Sequence, residues 1–327
     1  LQRGIEAATR FRIGEGMSDP DPHAPPALLV AAFYHFAALD ALEERRAALI
    51  AVCQQQQVRG TVLLAPEGVN GTIAGERAAV LDILHRIRSI DGFADLEWKE
   101  SEAGAMPFNR MKVRLKREIV TMGREDVDPA ARVGRYVEPD DWNALMARED
   151  VVLIDTRNTY ETGIGSFEGA VDPGTESFRD FPDWWARNGD RFADKTVAMF
   201  CTGGIRCEKA TSWLVGQGVE DVVHLKGGIL KYLERVPEPD SRWQGECFVF
   251  DQRVAVGQGL APGTHDICHA CRRPVAPDAK RGAAYERGVC CPACVDEFTE
   301  DDRARFRERQ RQVDLAARRG SRHLAGD

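Results

Sequence analysis

The sequence predicts three units: an α/β domain with a parallel sheet, a smaller α+β domain before it, and a cysteine-rich, helical tail behind. Three observations carry this. At 327 residues the chain is too long for one ordinary core, since a domain takes roughly 100–200 residues. Short, unbroken apolar runs between 151 and 225 alternate with helical patterns, as strands covered on both faces do. Five of the nine cysteines crowd into 268–294. Composition agrees: 43% hydrophobic and 29% charged residues describe a soluble globular chain and not a disordered one. A formal charge of −8 with a pI near 5.5 excludes a uniformly basic nucleic-acid coat and leaves room for a local basic surface. No stretch approaches the ~18 apolar residues of a membrane span. The nearest, Ala27 to Leu39, contains His35 and follows an acidic lead, unlike a secretory signal. An odd cysteine count in a long chain points to a reducing compartment, with catalytic or metal-binding thiols. A cytoplasmic protein without a membrane partner is expected.

Residues 1–26 keep no period and read as a disordered lead-in, with Met17 a candidate natural start. Residues 27–125 form the first domain. An apolar run, Leu28 to Phe36, leads to a helix from Asp40 to Gln56 with Asp40 as its N-cap. A strand from Gly60 to Ala65 follows, then a turn, Pro66 to Gly71, and a short strand through Ile73. A second helix, Glu76 to Ser89, places Val80, Ile83, Leu84 and Ile87 on one face. The basic strand Met111 to Leu115 closes a β-α-β-β-α-β series, the ferredoxin-like (acylphosphatase-like) arrangement. Residues 126–146 read as a linker.

The α/β domain spans 147–241. Its strands are Val151 to Ile154, Thr196 to Phe200 and Val222 to Leu225. Between the last two lies a helix, Glu208 to Gln217, with Ala210, Trp213 and Leu214 inward and Gly218 stopping it. Residues 242–327 form the cysteine- and arginine-rich tail.

The strongest site signal is Cys201-Thr202-Gly203-Gly204-Ile205-Arg206. A cysteine ends a buried parallel strand, where ligands of open α/β sheets bind. Glycines let successive amides turn inward as an anion nest, and the helix N-terminus adds positive charge. Arg206 adds a guanidinium. Each favours the nucleophilic thiolate, against the ordinary fate of a cysteine as a small buried hydrophobe. Cysteine-dependent phosphatases wrap phosphate with five residues between cysteine and arginine. Here four residues separate Cys201 from Arg206. The tighter loop suits a terminal sulfur or small anion better than a phosphoryl group. Catalysis is therefore assigned to Cys201 and Arg206, with Thr202, Gly203, Gly204 and Ile205 as the active-site loop.

Asp155 and Arg157, just after a strand, either support that loop or form a structural ion pair. Cys207 either resolves an oxidised Cys201 or points away. Cys268, Cys271, Cys291 and Cys294 form two Cys-x2-Cys pairs with 19 residues between them, a zinc-site spacing. Four thiolates satisfy tetrahedral, structural zinc; a redox pair or free thiols are the alternatives, with Cys290 and His269 as substitute ligands. Arg303, Arg305, Arg307, Arg309 and Arg311 form either a solvated run or a phosphate-binding strip. Arg110, Lys112, Arg114 and Lys116 would share one strand face as a second basic stripe. No dinucleotide fingerprint, P-loop or helical two-histidine metal motif is present, so no nucleotide cofactor is evident.

Leu153-Ile154-Asp155-Thr156-Arg157, Glu161, Phe167-Glu168-Gly169-Ala170, the Cys201 loop and Leu225-Lys226-Gly227-Gly228-Ile229 together resemble a rhodanese domain. Gly60 to Thr72 ahead of it, Arg179-Asp180-Phe181-Pro182 within it and the cysteine-rich tail behind narrow the resemblance. Over nearly the whole chain after residue 27, it is similar to the rhodanese-like tRNA uridine hydroxylases. The resemblance implies a tRNA-modifying oxidoreductase, monooxygenase-like, that uses molecular oxygen to convert the wobble uridine, position 34, to 5-hydroxyuridine. It places the family's cysteine, expected to carry a persulfide, at Cys201. It also favours Glu67 and Asn70 as contacts to a base or ribose, over residues that merely shape a turn. The strand stripe of Arg110, Lys112 and Arg114, read from alternation and not from the resemblance, would then contact the RNA phosphates. The alternatives are a sulfurtransferase taking sulfur from a small donor, and a non-catalytic docking module.

Overall fold

The computed structural model describes residues 28–124 and 126–320; the 1–26 lead-in, with Met17, lies outside them. The first unit runs β1 (Leu28–Phe36), α1 (Leu42–Gln55), β2 (Arg59–Ala65), β3 (Gly68–Gly75), α2 (Arg77–Arg88), β4 (Glu97–Ala103) and β5 (Met111–Leu115). Its sheet order is β4-β1-β3-β2-β5. The expected β-α-β-β-α-β motif is present, but its last strand is β4 and not 111–115. β4 reads Glu-Trp-Lys-Glu-Ser-Glu-Ala, without apolar alternation, because it is an edge strand paired only to β1, and edges carry charge readily. β5 extends the other edge, parallel to β2.

Two local expectations are corrected. Asp40 does not cap α1: Ala41 at φ 48° precedes the helix with no side-chain cap, and the Asp40 carboxylate accepts from Arg45 at 2.8 Å. Gly68 to Gly71 open β3 instead of forming the turn, which shrinks to Pro66-Glu67. Gly68, at φ 145°, admits the neighbouring strand, since a Cβ there would lie 2.0 Å from the His35 carbonyl oxygen.

Helices α1 and α2 cover one face of this sheet. Alternate strand residues Leu29, Ala31, Phe33, Val62, Leu64 and Ile73 pack with Val80, Ile83, Leu84 and Ile87 of α2. The other face carries no helix of this unit. Across it the strand register lines up Lys99, Ala32, Thr72, Thr61 and Lys112 in one row, and Tyr34, Asn70, Leu63 and Arg114 in the next. Side chains in such a row point to the same side of the sheet. That open face roofs the site.

The second unit runs β6 (Arg135–Val137), α3 (Pro139–Met146), β7 (Val151–Asp155), α4 (Thr159–Thr162), β8 (Gly165–Phe167), α5 (Phe181–Asn188), β9 (Thr196–Phe200), α6 (Ile205–Gly216), β10 (Val222–Leu225) and α7 (Gly228–Arg235). A parallel sheet of order β6-β10-β9-β7 forms its core. The segment 126–146, expected as a linker, thus supplies a strand and a helix to this unit. Beyond 241, β11 (Trp243–Gly245) pairs with β8. α6 starts at Ile205, ahead of the expected Glu208. Gly218 (φ 89°) ends it, with the Val219 amide returning to the Leu214 carbonyl.

His224 on β10 is buried, its Nε2 without a partner, and burial lowers its pKa to about 4. The unfolded chain protonates this ring near pH 6.5. Stability from the neutral ring is therefore complete above pH 6.5 and is lost as pH falls towards 4, by up to roughly 3 kcal/mol. Urea midpoints at pH 7.5 and 5 should reveal the loss, and His224→Leu should remove most of it.

A buried ionic clamp joins the units. Lys209 on α6, 0% exposed, donates to both Glu67 carboxylate oxygens (2.8 Å each), to Glu118 (2.7 Å) and to the Val120 carbonyl (3.1 Å). Glu67 also accepts from the Ile119 amide at 2.7 Å. Behind these units lie short strand pairs and α8 (Glu300–Arg318), capped by Thr299. No helix among the described residues is long and apolar enough to cross a membrane.

Candidate active site and cysteine cluster

β9 delivers Cys201 to the carboxyl edge of the parallel sheet. The loop then turns through Gly204 (φ 104°) into α6. The Gly204 amide donates to the Cys201 sulfur at 3.1 Å, and the Cys207 amide and thiol also point at it. Burial pushes the Cys201 thiol up; those hydrogen bonds and the Arg206 charge outweigh it and hold the pKa well below the ordinary thiol value. Cys207 is the neutral partner. Its pKa is raised by burial and by the neighbouring thiolate, and its sulfur lies 3.4 Å from the Thr156 hydroxyl. α7 closes the cradle from behind: the Ile229 and Leu230 amides donate to the Cys201 and Thr202 carbonyls. A Cβ on Gly228 would stand 2.5 Å from the Cys201 carbonyl oxygen and 2.7 Å from the Gly204 nitrogen.

Arg206 has a partner the sequence reading gave no role. Glu161 on α4, 0% exposed, takes both guanidinium nitrogens at 2.7 Å each and accepts from the Thr202 hydroxyl at 3.3 Å. Arg206 therefore holds the loop's shape while its charge reaches Cys201 at longer range. Asp155 and Arg157 form a fully buried ion pair (2.7 Å). Arg157 also donates to the Glu161 carbonyl, so this pair meets the loop one step removed.

Cys201 itself is 0% exposed and lies on the wall of a cavity of about 490 Å³. Residues of both units line this space, among them Tyr34, Asn70, Lys99, Phe108, Tyr160 and Arg206. Asn70 reaches it, its amide donating to the Ile119 carbonyl at 2.9 Å. Glu67 is corrected: it is spent in the Lys209 clamp and is not among the lining residues. Arg110, Lys112 and Arg114 are not lining residues either. Lys112 and Arg114 extend the open-face rows to the β5 edge, and none of the three has an ion-pair partner among the described residues.

Several groups were missed by the sequence reading. The Tyr34 hydroxyl donates to Glu208 at 2.7 Å, and the Lys99 ammonium donates to the Gly203 carbonyl at 3.0 Å. One signal was available: Arg206, Lys209 and Trp213 share the inward face of α6, and a lysine there requires a buried carboxylate.

The sulfurs of Cys268, Cys271, Cys291 and Cys294 all lie within 4.8 Å of one another. Neighbouring separations are 3.9, 3.7 and 3.6 Å, against ~2.0 Å for a disulfide. The edge of a tetrahedron with 2.3 Å zinc–sulfur bonds is about 3.8 Å. Cys290 is outside the group, its sulfur near the Ala284 carbonyl, and His269 is exposed. The arginine run does not form one strip. Every second position of a helix alternates between nearly opposite sides. Arg305, Arg307 and Arg311 pair with Asp302, Glu286 and Glu308, while Arg303 and Arg309 donate to the Val295 and Gly288 carbonyls.

Residues 28–119 match the model of the UPF0176 acylphosphatase like domain and residues 138–235 that of the Rhodanese-like domain. A tRNA uridine(34) hydroxylase of Ruegeria pomeroyi is 61% identical over 296 residues, 90% of this chain and 98% of that protein. The chain belongs to the tRNA uridine(34) hydroxylase family. The Agrobacterium fabrum member is 57% identical, across 93% of this chain and 97% of its own length. The Jannaschia sp. member is 59% identical, across 91% and 99%. Among solved structures, the rhodanese-like domain of an Anabaena sp. protein covers 34% of this chain and 78% of its own, with 16% identity and a TM-score of 0.28. The hydroxylase family thus spans both units described above: the ferredoxin-like sheet as the acylphosphatase-like part, the parallel sheet as the rhodanese-like part.

Proposed function

We propose that this chain hydroxylates C5 of the uridine at tRNA wobble position 34, in the cavity beside Cys201. The observation that carries the reading is a sulfur kept ionised by inward-facing amides, on the wall of a space shared by both units. At about 490 Å³ that space falls within the range of small-ligand pockets. A base reaches such a recess only when unstacked, as the loop nucleotides of RNA can be. Molecular oxygen is the co-substrate: one atom enters the C5–H bond and the other leaves as water, with two electrons from a cellular reductant and two protons from that reductant or solvent. Cys201 is the reacting group, and Arg206 with Glu161 maintains its loop. A sulfurtransferase with a small donor has no use for a ceiling built by a second domain.

In cells lacking the gene, 5-hydroxyuridine should disappear from tRNA nucleosides and return with the gene, carrying label from ¹⁸O₂. Return of the nucleoside without label would reject oxygen as the source.

The RNA backbone lies along the open sheet face towards β5, where Arg110, Lys112 and Arg114 await phosphates. Single-stranded contacts contribute about −0.7 each to the slope of log K against log salt. Replacing all three by alanine should flatten that slope by about 2; an unchanged slope would remove this face from the interface.

The four-cysteine cluster holds structural zinc, its thiolates filling all four positions and organising a segment with little apolar core of its own. Metal analysis of the purified protein should return one zinc per chain, and Cys291→Ser should lose it.

A further inference from the structure

We infer that Lys99 is the specificity-determining contact of the site: its ammonium reads the 4-keto oxygen of the target pyrimidine, admitting uracil and rejecting cytosine. This deepens the hydroxylase reading and rests on it.

Three cations line the cavity: Lys99, Arg206 and Arg253. Arg206 is saturated by Glu161. Arg253 is held by Asp251 at 2.6 Å and by the Ser101 hydroxyl at 2.6 Å. Lys99 alone of the three has no carboxylate bonded to it among the described residues. Its ammonium gives one N–H to the Gly203 carbonyl (3.0 Å) and stands 5.4 Å from the centre of the Tyr34 ring. An ammonium has three donors and no acceptor, so two donors remain for a ligand.

Position then selects the atom. Lys99 comes from the middle of β4, pairs with Ala32 on the open face and is tethered to the loop that carries Cys201. With C5 of the ring at Cys201, the nearest ring carbonyl is at C4, bonded directly to C5; O2 lies across the ring. A keto oxygen there accepts from Lys99. The 4-amino group of cytosine presents N–H to N–H and leaves the lysine donors unmet. Withholding a partner from one donor in a closed site costs roughly 5- to 150-fold in affinity.

The test uses full-length protein and synthetic anticodon stem-loops carrying uridine or cytidine at position 34, with binding as the readout. Wild type should prefer uridine at least about tenfold. Lys99→Met should bring the ratio near one, and Lys99→Arg, still donor-only, should restore a preference for uridine. A purely structural lysine would weaken both RNAs equally and leave the ratio intact, which would overturn the inference. Lys99→Gln, with an amide that both donates and accepts, should also lose the preference; it serves if the methionine variant does not fold, and a retained preference in it overturns the inference too. Nucleoside analysis of wild-type cells separates the two failures. If 5-hydroxyuridine is made but the ratio survives, only the assignment of Lys99 falls; if none is made, the hydroxylase reading falls.

Discussion

Cys201→Ala should lower 5-hydroxyuridine formation by at least about 10³-fold, the scale on which removing a reacting nucleophile acts, while tRNA affinity stays close to wild type. Cys201→Ser should fare no better, because a hydroxyl in the same cradle does not ionise near neutral pH. The reason lies in what the surroundings are built to hold. The Gly204 amide, the Cys207 amide and thiol, and the Arg206 charge all favour a negative sulfur. The thiolate dominates above a pKa that lies well below that of a free cysteine, so activity limited by this group should fall on acidification and not on approach to pH 8. Nucleoside mass spectrometry of tRNA from cells carrying each variant measures the loss. Hydroxylation that persists in Cys201→Ala would take the sulfur out of the reaction.

Lys209→Met should destabilise the protein by roughly 3–5 kcal/mol, the usual result of removing one member of a buried ionic group. Glu67 and Glu118 would be left facing each other without their shared cation, at the seam between the two sheets. Denaturant midpoints report the loss. A triple change, Lys209→Met with Glu67→Gln and Glu118→Gln, should recover much of it, because the stranded carboxylates are then gone. A single variant as stable as wild type would show that the seam owes nothing to this clamp.

What was legible in the sequence is what is local. The Cys201 loop is one contiguous segment, and strand, turn and helix chemistry follow from neighbours along the chain. The parallel strands 151–155, 196–200 and 222–225 announce themselves because both faces are covered and the runs are apolar throughout. The four cysteines that cluster in space show their partnership in their spacing. The rest depends on which surfaces meet. β4 hides because an edge strand with polar residues on both faces carries no period. Glu67 looks free for a ligand until Lys209, more than a hundred positions later, takes both its oxygens. Glu161 stands in a recognisable motif, yet its role exists only once α4 lies against Arg206. The arginines between 303 and 311 suggest a stripe on paper, and helical geometry scatters them.

The row Lys99, Ala32, Thr72, Thr61, Lys112 spans all five strands of the first sheet. Four inter-strand steps of about 4.8 Å make it roughly 19 Å long. Hydrogen-bonded ladders hold that length, so if the base is inspected at Lys99 and the sugar-phosphate chain is gripped at Lys112, the sheet is a fixed caliper between the two points. Which nucleotide arrives over the sulfur would then be chosen by counting along the strand from that grip, and the identity of its neighbours need not be consulted at all.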